Sequence, residues 1–450
     1  MNHAVLRRVA GTSAGSRAIA QLNEALATAA NLFGTPVYVM DMISVATAAR
    51  QVEAAFGSPW LLHYSLKAND LPALAGYLAG RGWGGAVVSA GEWQHARHGG
   101  LSNESVVFEG IGKTDAQLGY AAAEAAAGRP PRWLVIESAE ELSCLADLAA
   151  DYQLGRAGRP AIDVLLRLNP GVDPETRREF AVGAGTSKFG MPATEISALA
   201  EGAADSFPGL TVRGIHVHVG SALTDVGAWA LAGVRATSVL ADIARYCPGA
   251  DTVDYGGGFP LPGGPGPAQF RDALLDALDA AGLPLPTRPA IEPGRYLVGG
   301  AGWLVSRVLH VRKPSESSAE QTRVILDAGM TELMRPALYG SLHRVHALRP
   351  GSDPLGGEPL RATTVDGPVC EMTDSFGTHQ LPPLARGDLV AIEQAGAYAA
   401  SFTSRYNGRP HPAETLLRDG GELELCERPA VEATAGGLAE RHPSAERSLV

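Results

Sequence analysis

The chain has 450 residues, 45% of them hydrophobic and 19% charged, enough to bury a barrel-sized core beside a smaller companion unit. Its 48 acidic and 37 basic side chains leave a formal charge of −11 at pH 7, which offers nucleic acid or an anionic membrane no electrostatic attraction and favours a small-molecule role. Four scattered cysteines, Cys144, Cys247, Cys370 and Cys426, form no CxxC pair, so the expectation is reduced thiols in a cytoplasm and no disulfide scaffold.

The opening MNHAVLRRVAGTSAG carries two arginines without an apolar run behind them, and no later segment approaches the roughly 18 uninterrupted apolar residues of a membrane span. Neither export nor a membrane partner is expected. PVYVMD near 37 reads as a strand that joins a β domain further along the chain.

From about 60 to 295, short aliphatic runs alternate with longer Ala/Leu-rich stretches, the rhythm of βα units and a parallel sheet. The candidate strands, in order, are LLHYSL, GAVVS, VVFEG, WLVIES, IDVLLRL, VRGIHVHV, TVDY and PAIEP. Between them, AEELSCLADLAADY, VGAWALAGVRATSVLADIARY and PAQFRDALLDALDAAG repeat apolar residues at helical spacing. Eight strands are what a closed barrel needs, although an open doubly wound sheet uses the same alternation.

After about 296 the texture changes. GWLVSRVLHVRK, TRVILDAG, RATTVDGPVC and DLVAIEQAG read as strands joined by Gly, Pro and Asp without intervening helices. The tail, PAVEATAGGLAERHPSAERSLV, lacks periodicity and is rich in small and charged residues, as disordered segments are.

The expected architecture is α/β: an N-terminal helix and strand over 1–44 that contribute to the β domain, a (β/α)8 TIM-like barrel over 45–295, a β-rich sandwich or barrel domain over 296–428 and a disordered tail over 429–450.

Chemistry gathers at the ends of the candidate strands, the rim on which barrel side chains converge. Lys67, in HYSLKAND, ends the first of them; an isolated lysine there is ordinarily just solvated. His216 and His218, in HVHVGS, share a strand face and also suit a metal pair in a barrel hydrolase.

Gly256, Gly257 and Gly258 follow TVDY, where backbone without Cβ lets several N–H groups approach a phosphate; a tight turn is the plainer reading. Glu292 and Arg295, in IEPGRYLV, combine a carboxylate able to face a pyridine nitrogen with a base three residues on, and they also fit a local ion pair.

These segments belong to a longer ordered series: YSLKAN, VVSAGE, LRLNPG, TSKFG, HVHVGS, DYGGGFP, EPGRYLV, MRPALYG, GPVCE and GAYAASFTSRYNGRP. In this series, from about Thr35 to Leu417, the chain resembles the fold type III pyridoxal-phosphate decarboxylases, the ornithine/diaminopimelate/arginine decarboxylase family, and is most like its bacterial diaminopimelate decarboxylase branch.

The resemblance implies pyridoxal 5'-phosphate as cofactor and no metal, with Lys67 as the lysine that bonds the cofactor aldehyde and His218 stacked on its ring. Ser221, Gly256, Gly257, Gly258 and Tyr398 are implied to hold the phosphate. Glu292 is implied to face the ring nitrogen, and Arg295 also borders the cofactor. Arg295, Arg335, Tyr339, Glu371 and Tyr398 match substrate-binding positions, the arginines and Tyr339 for a distal carboxylate and Glu371 for a distal amino group. Cys370 matches a thiol that enters from the partner subunit and protonates the reacting carbon, which implies a homodimer with shared sites.

Two positions depart from the family pattern. Ala86 stands where the DVxSxGE motif usually has Asp, and Met372-Thr373-Asp374 stands where Ser-Gly-Asp usually follows the Cys-Glu pair.

The function expected is amino-acid decarboxylation, first of meso-diaminopimelate to L-lysine and carbon dioxide in cytoplasmic lysine biosynthesis. The alternative is decarboxylation of another basic or dicarboxylic amino acid in specialised metabolism. Ranked below these are an amino-acid racemase, a non-catalytic cofactor-binding relative and a metal-dependent barrel hydrolase.

Overall fold

A computed structural model describes residues 19–431 apart from 157, 175, 177–179, 314–320 and 349–358. Most of the expected disordered tail therefore lies outside the described residues. The chain opens with helix α1 (Ile19–Phe33), strand β1 (Val37–Asp41) and helix α2 (Met42–Ala55).

Eight parallel strands then close into a barrel: β2 (Leu61–Ser65), β3 (Gly84–Val87), β4 (Val106–Phe108), β5 (Trp133–Ile136), β6 (Ile162–Leu168), β7 (Leu210–Val217), β8 (Thr252–Asp254) and β9 (Arg288–Ile291). They coincide with the eight runs read from the sequence. Closure comes from β2 pairing with β9, Leu61 to Ala290 and Leu62 to Ile291, which excludes the open sheet.

Alternation along each strand sorts side chains to two sides. Ala86, Val107, Trp133, Val135, Leu165 and Ala290 pack with one another, whereas Val87, Phe108, Leu134, Ile136 and Leu166 join the larger core shared with the surrounding helices.

Those helices are α3 (Pro72–Ala79), α4 (Ala90–His98), α5 (Asp115–Ala126), α6 (Ala139–Asp151), α7 (Ala193–Ser206), α8 (Val226–Ile243) and α9 (Pro267–Ala280). Several begin where a short polar side chain follows a strand and accepts a bond from the first helical turn. Ser89 Oγ accepts from Glu92 N at 3.2 Å, Ser138 Oγ from Glu141 N at 3.2 Å, and Asp225 from Gly227 N and Ala228 N at 2.8 and 3.2 Å. Helix α8 is long and apolar enough to cross a bilayer by composition alone, but it buries Trp229, Ala232, Ala236 and Leu240 within the protein.

Past the barrel, the short helix α10 (Arg295–Val298) leads into a nine-stranded sheet. Its later members are β10 (Gly302–Arg312), β11 (Thr322–Leu326), β12 (Val345–Leu348), β13 (Arg361–Asp366), β14 (Ser375–Leu381), β15 (Leu389–Ile392), β16 (Ala413–Leu417) and β17 (Leu423–Cys426). Strand β1 lies inside this sheet, antiparallel to β10 and parallel to β16.

Among the described residues, an α-helix interrupts the run of strands that the sequence suggested, α11 (Arg335–Tyr339). Pro336 presets its first turn, and Gly340 ends it at φ 59°, a conformation open to glycine at little cost.

Candidate active site

A cavity of about 440 Å³ opens at the C-terminal rim of the barrel, lined among others by Lys67, Glu109, Arg167, His218, Ser221 and Glu292. Gly258, Arg295, Arg335, Tyr339 and Tyr398 also line it, so residues from distant motifs meet in one place. Such convergence is what the rim of this architecture provides.

Lys67 sits in a single 3₁₀ turn, Leu66–Ala68, directly after β2. The turn is clamped from both sides. Tyr64 Oη donates to Asn69 O at 2.7 Å, Asn69 Nδ2 donates to Gly396 O at 3.1 Å, and Tyr398 N donates to Ala68 O at 2.7 Å. Tyr398 itself holds φ 55°, a strained conformation for an aromatic residue that marks functional sites more often than chance.

Lys67 Nζ donates to Glu109 Oε1 at 3.1 Å. Burial alone would pull the ammonium down, but Glu109, then Tyr398 and Glu292, more than offset it and raise it above the ordinary lysine value. In return, although burial pushes the Glu109 carboxyl up, Lys67, His216 and Arg167 hold it low.

The three glycines are dictated by close backbone approach. A Cβ on Gly256 would stand 2.7 Å from His218 Nδ1, one on Gly257 2.4 Å from Glu292 O, and one on Gly258 2.8 Å from Gly220 O. Only Gly258 of the three lines the cavity; Gly256 and Gly257 lock the segments around it. Gly257 N donates to His218 Nδ1 at 3.2 Å, which leaves the proton of a neutral imidazole on Nε2. Burial, then Lys67 and Arg167, lowers His218 well below its usual value and keeps it neutral.

Ser221 Oγ accepts from Arg295 Nε at 3.3 Å and from Nη2 at 3.0 Å. The same guanidinium lies 4.7 Å from the centre of the Tyr398 ring, a cation–π distance. Arg295 and Glu292 do not form the local ion pair that their spacing allowed. Arg335 is 8% exposed, and its Nη1 donates to His343 Nε2 at 3.5 Å. Tyr339 packs edge-on against Phe180 with centroids 5.0 Å apart.

Glu292 is 4% exposed, and its Oε1 has no partner among the described residues. Burial first, then the charge of Glu109, pushes its carboxyl up. A buried carboxylate oxygen without a donor is costly, and the protonated nitrogen of a pyridine ring supplies the missing proton. Together with the glycine turn, the Ser221 hydroxyl and the exposed face of the Lys67 amine, this oxygen fits pyridoxal phosphate.

His216 lies deeper than His218, with Nε2 3.4 Å from Glu292 Oε2 and 3.7 Å from Glu109 Oε2. Glu109, His216 and Glu292 are close enough to share one cation, but the Lys67 ammonium already supplies a positive charge against Glu109. Among the described residues, the one group of three or more such ligands contains His216 and not His218.

Cys370 and Glu371 do not line the cavity of their own chain. They ride on the loop between β13 and β14, exposed, with Asn407 Nδ2 3.6 Å from Cys370 Sγ and Tyr406 Oη donating to Glu371 Oε1 at 3.0 Å. The loop is pinned by Asp374, whose carboxylate accepts from Met330 N at 2.5 Å and Val369 N at 2.6 Å. Next to it, Met372 is 96% exposed.

The sequence reading missed Glu109 and Arg167. Both carried a signal: a carboxylate immediately after the VVF strand, and a lone cation inside the apolar LLRL strand. Arg167 is ion-paired with Glu137, whose other oxygen accepts from Gly190 N at 2.9 Å.

The family profile described as pyridoxal-dependent decarboxylase, pyridoxal binding domain, matches residues 42–299. The chain is similar to the diaminopimelate decarboxylase of Deinococcus radiodurans, 34% identical over 405 residues, covering 90% of this chain and 95% of that protein. It is similar also to that of Zymomonas mobilis, 33% identical over 414 residues, covering 89% and 91%. Among solved structures, diaminopimelate decarboxylase from Helicobacter pylori complexed with L-lysine superposes with a TM-score of 0.78 at 28% identity, covering 90% of this chain and 96% of that one.

Proposed function

Because the chain belongs to the pyridoxal-dependent decarboxylase family, it is a pyridoxal-phosphate-dependent carboxy-lyase, and we propose that it converts meso-diaminopimelate to L-lysine and carbon dioxide. The observation that carries this reading is the meeting of Lys67 with Arg295, Arg335 and Tyr339 around one cavity. Two buried guanidinium groups suit a substrate that keeps a second carboxylate after losing the first. Similarity to the lysine-bound Helicobacter pylori enzyme agrees with lysine as product.

Bound pyridoxal phosphate supplies an electron sink for the pair of electrons left when the carboxylate departs. The chain's own residues do the rest. Lys67 would bond the cofactor aldehyde, Ser221 and Gly258 would hold the phosphate from the cavity wall, and Tyr398 would add its hydroxyl, while Gly256 N and Gly257 N are taken by Asp254 and His218. His218 packs as a neutral ring, and Glu292 holds the proton of the pyridine nitrogen. Arg295, Arg335 and Tyr339 grip the remote carboxylate and fix which bond to the α-carbon stands ready to break.

Cys370 and Glu371 act from a second copy of the chain, Cys370 delivering a proton to the reacting carbon and Glu371 contacting the distal amino group. Their exposure beside Met372 on a pinned loop, outside their own cavity, supports a homodimer with shared sites. Four free cysteines support a reducing cytoplasm.

Carbon dioxide release measured over meso-diaminopimelate, lysine, ornithine, arginine and their D-forms tests the substrate, and preference for any amino acid without a second carboxylate overturns it. Lys67→Ala should lose both the cofactor absorbance and turnover. Mixing Lys67→Ala with Cys370→Ala chains should restore activity that neither has alone; no recovery refutes the shared site.

A further inference from the structure

The carboxylate that meets Lys67 comes from the third barrel strand in sequence, β4. Val107 faces the barrel interior, so Glu109, two residues on, returns to the same side, and its backbone N–H donates to Val87 O at 2.8 Å. The neighbouring strand offers no charge beside it: Ala86, fully buried, is the inward residue one layer below, paired with Ser65 and Val107, and the register puts Val88 level with Glu109. Glu109 is 2% exposed, and its only cationic hydrogen-bond partner among the described residues is Lys67.

Its second oxygen lies 3.7 Å from His216 Nε2, and Glu292 Oε2 lies 3.4 Å from the same nitrogen. The amine's carboxylate and the one proposed for the ring nitrogen thus flank the same buried imidazole nitrogen, and only Glu292 is within hydrogen-bond distance of it.

We propose that Glu109 is a further positioning residue for the reaction: its carboxylate holds Lys67 as an ammonium whenever that nitrogen is not bonded to the cofactor, and so denies the substrate's α-carbon a base. An ammonium has no lone pair with which to take a proton from carbon. A neutral lysine at the same place would take the α-proton and open its exchange with solvent as a side reaction. The arrangement thus bears on which bond breaks as well as on how fast.

The charged and titratable groups that face Lys67 are Glu109 from β4, Glu292 after β9, Tyr398 from the β domain, His218 after β7 and Glu92 from α4. Of the carboxylates among them, Glu109 alone makes a hydrogen bond to the amine. His218 is held neutral by burial, so the acids decide the balance.

The proposal rests on Lys67 being the cofactor lysine, and the two are tested apart. On the cofactor-free protein, competitive acetylation read by mass spectrometry gives the titration of Lys67 against Lys188 in the same chain. Lys67 should titrate above Lys188 in the wild type and at or below it in Glu109→Gln, a drop of about one pH unit or more for loss of a buried opposite charge. Glu109→Met, neutral and of similar volume, repeats the measurement should the amide fail to fold.

In the loaded enzyme in deuterium oxide, both variants should exchange the α-hydrogen of the amino acid at least tenfold more often per turnover than wild type. A wild-type Lys67 that titrates with or below Lys188, or an exchange ratio unchanged by either substitution, overturns the role of Glu109. Retention of the cofactor absorbance by Lys67→Ala instead overturns the lysine assignment beneath it.

Discussion

Replacing Gly257 by alanine puts the architecture of the site to a direct test. The added methyl would lie 2.4 Å from Glu292 O and 3.2 Å from the carbonyl carbon, well inside van der Waals contact, and the three atoms nearest to it are all backbone. No side-chain rotation can relieve the clash, so the glycine turn and the Glu292 segment must part by about 1 Å, straining the 2.9 Å bond from Glu292 N to Gly256 O.

Overpacking of this kind costs about 1–3 kcal/mol, and a displacement of about 1 Å in a positioned group costs on the order of 100-fold in rate. Gly420→Ala is the matched control, because a Cβ there meets nothing within 4 Å. Chemical denaturation of the cofactor-free protein and steady-state decarboxylation should both separate the two variants. A Gly257→Ala protein that unfolds and turns over like Gly420→Ala would refute the argument that these glycines are there for close approach.

Glu92 gives a pH prediction. Burial raises its carboxyl to about 7 from 4.5, although Val88 N donates to it at 2.9 Å. The folded chain then keeps a proton that the unfolded chain sheds, so stability falls as pH rises from 4.5 to 7, by on the order of 3 kcal/mol from this group. Glu92→Gln should flatten that slope in denaturation series between pH 5 and 8; an unchanged slope counts against it. Asp374→Ala should orphan Met330 N and Val369 N at about 1–3 kcal/mol each, and it should lower turnover while leaving the cofactor absorbance of Lys67 intact. Loss of that absorbance would mean that the loop holds more than Cys370 and Glu371.

The barrel was legible because each of its strands is a short aliphatic run followed by turn or capping residues such as Ser89 and Ser138, signals that act locally. Motif order brought Lys67, His218, Glu292 and Tyr398 to attention. Glu109 escaped because it stands at the end of a strand whose inward phase is set by Val107, and phase is fixed only when neighbouring strands pair in register. Arg167 escaped for the same reason: its direction depends on barrel closure, which no local pattern encodes. The distance of Cys370 and Glu371 from the cavity of their own chain is likewise a matter of tertiary path, invisible in the GPVCE segment itself. The expectation of strands without intervening helices overlooked α11 at RPALY, although Pro336 in its first turn and Gly340 just past its end mark it.

Strand β1 sits between β10 and β16, so the central sheet of the second unit draws on residues 37–41 and 413–417 at once. During synthesis on the ribosome, those first residues emerge long before either neighbour exists. The barrel, whose strands span 61–291, is synthesised in full in the meantime. The early strand must wait, apolar and without its second neighbour, until residues 413–417 have been made. Release of the barrel half alone should therefore leave a sticky end that a chaperone or a co-expressed C-terminal fragment could cover.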